Sequence, residues 1–297
     1  MTITIKFNDN IEHKYNSFEE ITTLDKYNDI IYINCYNKNL CKLSELPNSL
    51  KTLMCSSNKL SSLPELPDSL EKLWCSNNNL SCLPELPNSL EKLWCNNNNL
   101  SCLPELPNSL VNLSCNYNKI SSLPQLPNKL IHLWCDNNNL SSLPELPNSL
   151  IELYCAYNNL SNLPKLPNSL IILYCEHNSL SSLPKLPNSS EELYCGCNNL
   201  SNLPKLPNSL KILLCGVNSL SSLPEILNSL DYFSYNNNPI HSYIKTHFNG
   251  NEKKYIEYDK NMKRQFANKL GDWYLDCKYN PKYLYCRKRL MKEYEEL

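Results

Sequence analysis

The chain has 297 residues, of which 41% are hydrophobic and 19% charged, and its formal net charge is −1. Near-neutrality excludes a global electrostatic pull toward nucleic acid or an anionic membrane, and no apolar run approaches the length of a membrane span. Charge is uneven, however: residues 241–297 carry 13 Lys plus Arg against 8 Asp plus Glu, which leaves the rest of the chain acidic.

The first residues, Met1 to Phe7, alternate apolar and polar side chains. That run is too short and too polar for the apolar centre of a secretory signal, and it predicts a strand over residues 2–7. Ser17 followed three residues later by Glu20 is a helix-start signature, which predicts a short helix near 17–27. Residues 1–29 are therefore expected to cap whatever follows.

From residue 30 the chain repeats every 20 residues, with unit starts from 30 to 230 giving 11 units over residues 30–240. In the unit opened by Leu50, Leu53 and Cys55 alternate with Thr52, Met54 and Ser56, the period-two pattern of a short strand. Neighbours at ±20 are chemically equivalent, so the strands are predicted to stack in parallel and in register. Leu50, Leu53, Cys55, Leu60, Leu63 and Leu66 form the apolar interior, which no unit can bury without neighbours on both sides. The return path carries Pro64 and Pro67, three apart, which excludes a helix and favours extended or polyproline-II backbone. Asn58 and its equivalents to Asn238 follow the strand, where a side-chain amide can satisfy turning backbone on both its donor and its acceptor side. The first unit is degenerate, with Lys38 in the Asn slot and Ser44 in the Pro slot, and the last ends at Asn238, Pro239 and Ile240.

Open ends of such a stack expose its core and need caps. Residues 241–297 read as a helical C-terminal cap, with Asn280 and Pro281 opening a helix over 282–297. Trp273, Tyr274, Leu275, Tyr283, Leu284 and Leu290 are the apolar residues available for packing.

Ten of the 16 cysteines, from Cys35 to Cys215, occupy one apolar slot of the repeat. They read as small buried hydrophobes rather than a disulfide framework, which implies a reducing, intracellular setting. Side chains pointing in parallel inside a packed core argue against bridges between them.

The unit L-P-x-L-P-x-x-L-x-x-L-x-C-x-x-N-x-L covers residues 44–240, two thirds of the chain. It resembles the leucine-rich repeat family, and in particular the 20-residue units of bacterial secreted effectors. That resemblance implies a horseshoe solenoid with a parallel β-sheet on the concave face and host-protein binding by the repeats. Some members of that family add a ubiquitin-ligase domain, for which the 57 residues after Ile240 are too few. The richness in Asn, Lys, Ile and Tyr, with Cys in the Leu slot, more closely resembles leucine-rich repeat proteins of giant DNA viruses of amoebae. The ending from Asn280 to Leu290 is similar to tails of those proteins.

The outward strand positions form columns. One runs Met54, Trp74, Trp94, Ser114, Trp134, Tyr154, Tyr174, Tyr194, Leu214, Ser234, and its six large rings are expected to stack along the sheet. An exposed aromatic stripe marks a partner surface, so Trp74, Trp94, Trp134, Tyr154, Tyr174 and Tyr194 are the candidate partner-binding residues. The bland alternative is that the rings only shield the sheet by cross-strand packing. The flanking column is positive at Lys72 and Lys92 and acidic or apolar from Glu152 onward. On the opposite edge Glu45, Glu65, Glu85 and Glu105 give way to Lys165, Lys185 and Lys205, a gradient that fits a solvated edge or head-to-tail self-association.

The chemistry of an enzyme is not found. Four glycines provide no phosphate loop, Cys277 and Cys286 with His241 and His247 match no zinc spacing, and His177 beside the Cys197 column lacks an orienting third group. No cofactor and no metal are expected. The sequence points to a non-enzymatic interaction module for an unidentified protein, with a self-assembling structural or virion-associated protein and a glycan-binding module as alternatives.

Overall fold

A computed structural model describes residues 2–223 and 230–279. Eleven three-residue strands recur at the 20-residue period, from β3 (Tyr32–Asn34), β4 (Thr52–Met54) and β5 (Lys72–Trp74) to β13 (Tyr232–Ser234). They are parallel and paired at a register of 20, for example Leu53 with Leu73 and Trp74 with Trp94. Pairing continues past the strands proper: the Cys75 N–H donates to the Trp94 carbonyl at 2.8 Å, and the Lys72 N–H to Lys51 at 3.0 Å.

The core is the predicted one. Leu50, Leu53, Cys55 and Leu60 are fully buried, and Leu63 and Leu66 nearly so. Each unit repeats this layer, which places the ten cysteines of the ladder in the dry interior with free thiols. The described return segments form neither helix nor strand, in keeping with their prolines. A tight turn closes each, with the Leu70 N–H donating to the Pro67 carbonyl at 3.0 Å.

Asn78 shows how a unit is welded to its neighbours. Its Oδ1 accepts the Leu60 N–H at 3.0 Å, and its Nδ2 donates to the carbonyls of Cys55 and Cys75 at 3.0 and 3.1 Å. The same pattern runs from Asn58 to Asn238. The residue before each of these asparagines has φ between 49° and 58°, from Ser57 to Asn237. Asn tolerates this left-handed conformation and β-branched residues do not, which accounts for Asn77, Asn97 and Asn137 and makes Val217 an exception.

At the N-terminal end the expected strand is β1 (Ile3–Lys6), which pairs antiparallel with β3. A second strand, β2 (Glu12–Tyr15), was not expected; its alternation is of charged and half-exposed residues, so it carries no apolar signal, and it forms by hairpin pairing to β1. The helix α1 (Phe18–Thr22) begins where predicted, with Ser17 Oγ accepting the Glu20 N–H and Glu20 Oε2 accepting the Asn16 N–H. It is shorter than the predicted span, and a 3₁₀ turn over Tyr27–Asp29 replaces its end. Ile3, Ile5, Phe18, Ile21 and Ile30 are buried here.

The chain divides into two compact units after Asn238. The second contains α2 (Pro239–Phe248) and α3 (Glu252–Tyr279), separated by Gly250 at φ +75°. Tyr243, Phe248, Tyr255 and Tyr258 pack within it, with Phe248 5.6 Å from Tyr255 and 5.4 Å from Tyr258. The helical character is as expected, but α3 already spans Trp273, Tyr274 and Leu275. The helix expected over 282–297, with Tyr283, Leu284 and Leu290, lies outside the described residues. Among the described residues no helix is long and apolar enough to cross a membrane.

Candidate functional site on the concave sheet

The third residue of each strand lies between two inward residues and so points out of the sheet. This rule alone carries Trp74, Trp94, Trp134, Tyr154, Tyr174 and Tyr194 to one face. Trp94 is exposed and the other five rings are half-buried, because each shields its neighbours.

The rings do not form one stack, contrary to the expectation from the column. Trp74 and Trp94 stack at 5.2 Å and 23°. Tyr154 and Tyr174 stack at 4.4 Å, and Tyr174 and Tyr194 at 3.8 Å. Between the two groups stands Ser114, which is buried and donates its hydroxyl to Asn96 Oδ1 at 2.7 Å. Without a ring there, Trp94 and Trp134 are two strand spacings apart, about 9.6 Å, beyond stacking range. Trp134 then meets Tyr154 edge to face, at 6.3 Å and 88°, with its Nε1 donating to Glu152 Oε2 at 3.3 Å. The face therefore carries a tryptophan pair and a four-ring cluster.

The two clusters differ in charge. Lys72 and Lys92 lie on the strands that carry Trp74 and Trp94. Glu152 and Glu192 lie on the strands that carry Tyr154 and Tyr194, and Asp136 and Glu176 follow Trp134 and Tyr174 by two residues. Burial raises the Tyr154 hydroxyl pKa, and the charges of Glu152, Glu192 and Asp136 raise it further. Burial likewise pushes the Asp136 carboxyl up to about 6, with the N–H of Ala156 opposing the rise and Glu176 adding to it. His132 Nδ1 sits 3.1 Å from Glu152 Oε2, at ion-pair distance but off the line a hydrogen bond needs. Trp74 Nε1 is buried with no hydrogen-bond partner.

Two polar ladders on the repeat escaped the sequence reading. Ser89 Oγ donates to the Leu70 carbonyl at 2.7 Å, and Ser69, Ser109, Ser149, Ser169, Ser189 and Ser209 do the same one unit back from each. After the strand, Asn96, Asn116 and Asp136 accept the N–H groups of Asn116, Asp136 and Ala156 through side-chain oxygens. The signal was the recurrence of Ser in its column, broken at Lys129, and the run Ser76, Asn96, Asn116 and Asp136 of side-chain oxygens in the other.

Nothing in this arrangement builds a nucleophile. The His177 ring stacks on Tyr157 at 4.0 Å, and no hydrogen bond joins it to Cys197 among the described residues. Burial raises the Cys197 thiol pKa and Glu176 raises it further, the reverse of an activated thiolate. Among the described residues no group of three or more His, Cys, Asp or Glu side chains converges as metal ligands do. A cleft of about 600 Å³ near the N-terminal cap is lined by Ile3, Phe18, Leu40 and Leu43 together with the charged Glu19, Lys38, Lys42 and Glu45.

Solved structures are similar to this fold. YopM from Yersinia enterocolitica is 40% identical over 67% of this chain and 45% of its own, with a TM-score of 0.67. The chain thus spans less than half the length of that protein. YopM from Yersinia pestis, described as a leucine-rich effector protein, is 37% identical over 71% of this chain and 67% of its own, with a TM-score of 0.64. The functional domain of InlJ from Listeria monocytogenes, described as including a cysteine ladder, shares the fold at 24% identity over 75% of this chain and 46% of its own, with a TM-score of 0.53. No protein-family model and no curated protein matches the chain.

Proposed function

We propose that this chain, which belongs to the leucine-rich repeat family, is a non-enzymatic interaction module that holds a protein partner on its concave face. The observation that supports the reading most directly is the pair of aromatic clusters on the outward face of the sheet, flanked by lysines at one end and carboxylates at the other. Trp and Tyr give large contact area for little lost side-chain freedom and dominate binding hot spots. Eleven strands present roughly 50 Å of such surface. The opposite flanking charges favour a partner with an acidic stretch over Trp74 and Trp94 and a basic stretch over Tyr154, Tyr174 and Tyr194, which would fix its direction along the sheet. The thiol ladder in the core fits an intracellular setting, and the resemblance to effector repeats and to those of giant viruses fits a host protein as the partner. The helical unit from Pro239 is read as the C-terminal cap.

The test compares pull-downs from host-cell lysate by the intact protein and by two variants, one with Trp74, Trp94 and Trp134 as Ala and one with Tyr154, Tyr174 and Tyr194 as Ala. A partner retained by the intact protein and lost by either variant, with circular dichroism unchanged, is the expected result. Equal capture by all three would reject the aromatic face as the working surface.

The convex edge favours a second reading. Glu65, Glu85 and Glu105 in early units and Lys165, Lys185 and Lys205 in later ones are complementary head to tail. Sedimentation at low salt would show concentration-dependent association if this edge assembles the protein, and a monomer at all concentrations would exclude it.

A further inference from the structure

Four cysteines of the solenoid lie outside its core ladder: Cys197 is half-buried, and Cys41, Cys82 and Cys102 are exposed, all with free thiols. Cys82 and Cys102 share a column, which other units fill with Ser62, Ser122, Ser142, Asn162, Ser182 and Asn202. Neither thiol is therefore needed to fill the interior, since the core ladder uses a different slot.

The turns that carry these two cysteines are held together by backbone. The Asn99 N–H donates to the Leu80 carbonyl at 2.8 Å, three residues before Cys102 and two before Cys82. Farther along the solenoid the Ser221 N–H reaches the Ser201 carbonyl at 3.4 Å, so adjacent units remain in contact one residue before this column. Parallel neighbours at such contact are spaced ~4.8 Å, inside the roughly 4.4–6.8 Å Cα window of a disulfide. The ladder thiols share this spacing, but their side chains are locked in parallel by packing. At Cys82 and Cys102 solvent surrounds the side chains, and both are free to rotate toward each other. Cys41 lies one column away and two units from Cys82, about 10 Å, outside that window.

We propose that Cys82 and Cys102 form a redox-responsive dithiol that closes to a disulfide between adjacent units on exposure to a low-molecular-weight disulfide of the glutathione class. One thiolate attacks a sulfur of oxidised glutathione, forming a mixed disulfide and releasing one glutathione thiol. The second thiolate attacks the protein sulfur of that mixed disulfide, forming the Cys82–Cys102 bond and releasing the second glutathione thiol. Two protein thiols lose two electrons, and one glutathione disulfide gains them, its two sulfurs leaving as thiols with the two protons. The bond ties together the two units that display Trp74, Trp94, Lys72 and Lys92, so oxidation staples the scaffold of the tryptophan pair.

The reduced full-length protein is incubated with oxidised glutathione under native conditions, quenched with N-ethylmaleimide and digested without reduction. The expected product is a cross-linked peptide pair whose fragment spectrum assigns the bond to Cys82 and Cys102, with Cys41 carrying a glutathione adduct or maleimide. Cys82→Ser, a residue that this column accepts elsewhere, is expected to abolish the cross-link and leave Cys102 as a glutathione adduct or a maleimide. Recovery of Cys82 and Cys102 from the intact protein as two separate adducts or two free thiols would overturn the proposal, as would a bond assigned to Cys75 and Cys95.

Discussion

The Asp136 carboxylate accepts the Ala156 N–H at 2.8 Å, across the boundary between two units. Asn116 makes the same bond to Asp136, one unit earlier, with a neutral amide oxygen. Geometry thus requires an acceptor at this position and not a charge. Burial raises the Asp136 pKa from 3.8 to about 6, and Glu176 contributes to the rise, so the native state resists ionising it.

Asp136→Asn is expected to stabilise the protein at pH 7. Because the folded pKa lies above the unfolded one, the native state binds more protons between about pH 4 and 6, and stability from this site falls as pH rises through that window. Above it the cost is fully present, at most ~3 kcal/mol for a rise from 3.8 to about 6. Urea midpoints of the variant and the parent should differ at pH 7 and converge near pH 4; an equal difference at both would reject the ionisation account.

Asn138 donates to the carbonyls of Cys115 and Cys135 and accepts from the Ile120 N–H, all in buried surroundings. Asn138→Ala should cost about 2 kcal/mol, because the Ile120 N–H loses its acceptor while the Cys115 and Cys135 carbonyls each keep one ladder amide, from Asn118 and Asn158. Asn139→Ala, at the exposed neighbour, should stay within about 0.5 kcal/mol. Equilibrium unfolding of the pair checks the contrast.

Val217 holds φ at 55°, where its branched Cβ meets the backbone. Val217→Asn, the residue at Asn137 and Asn237, is expected to raise stability by about 1 kcal/mol. Asn137→Val should lower it by a similar amount. Thermal melts that moved in the same direction for both would contradict the argument.

Ser190 occupies the slot of Leu170 and Leu210 and is buried like them. Ser190→Leu should add apolar burial worth about 2 kcal/mol, since the units on both sides already accept leucine in that slot. A lower melting temperature would mean that the neighbouring layers have closed over the gap.

Thiol reactivity should separate the core ladder from the surface. Burial pushes Cys95 and Cys215 up to about 12 and the interior members between them well above the usual thiol range. In the native protein at pH 8, Cys41, Cys82 and Cys102 are expected to alkylate within minutes, and the ladder only on unfolding. Rapid native labelling at Cys135 or Cys155 would show that the core opens locally.

The period of 20 and the slots for Leu, Cys, Pro and Asn by themselves determined the solenoid, because identical neighbours can bury their apolar layer only by stacking in register. The sequence also carried the six rings to one face, since alternation along a strand is a local rule. Tertiary structure decided how those rings meet. Ser114 left a gap of two strand spacings, and Glu152 drew the Trp134 indole edge-on to Tyr154, dividing the column into two clusters. The strand β2 likewise formed without an apolar pattern of its own, through hydrogen bonds to β1. Local periodicity is a property of the chain; ring angles, carboxylate burial and the partners of a polar strand depend on atoms from other units, which meet only when the chain is folded.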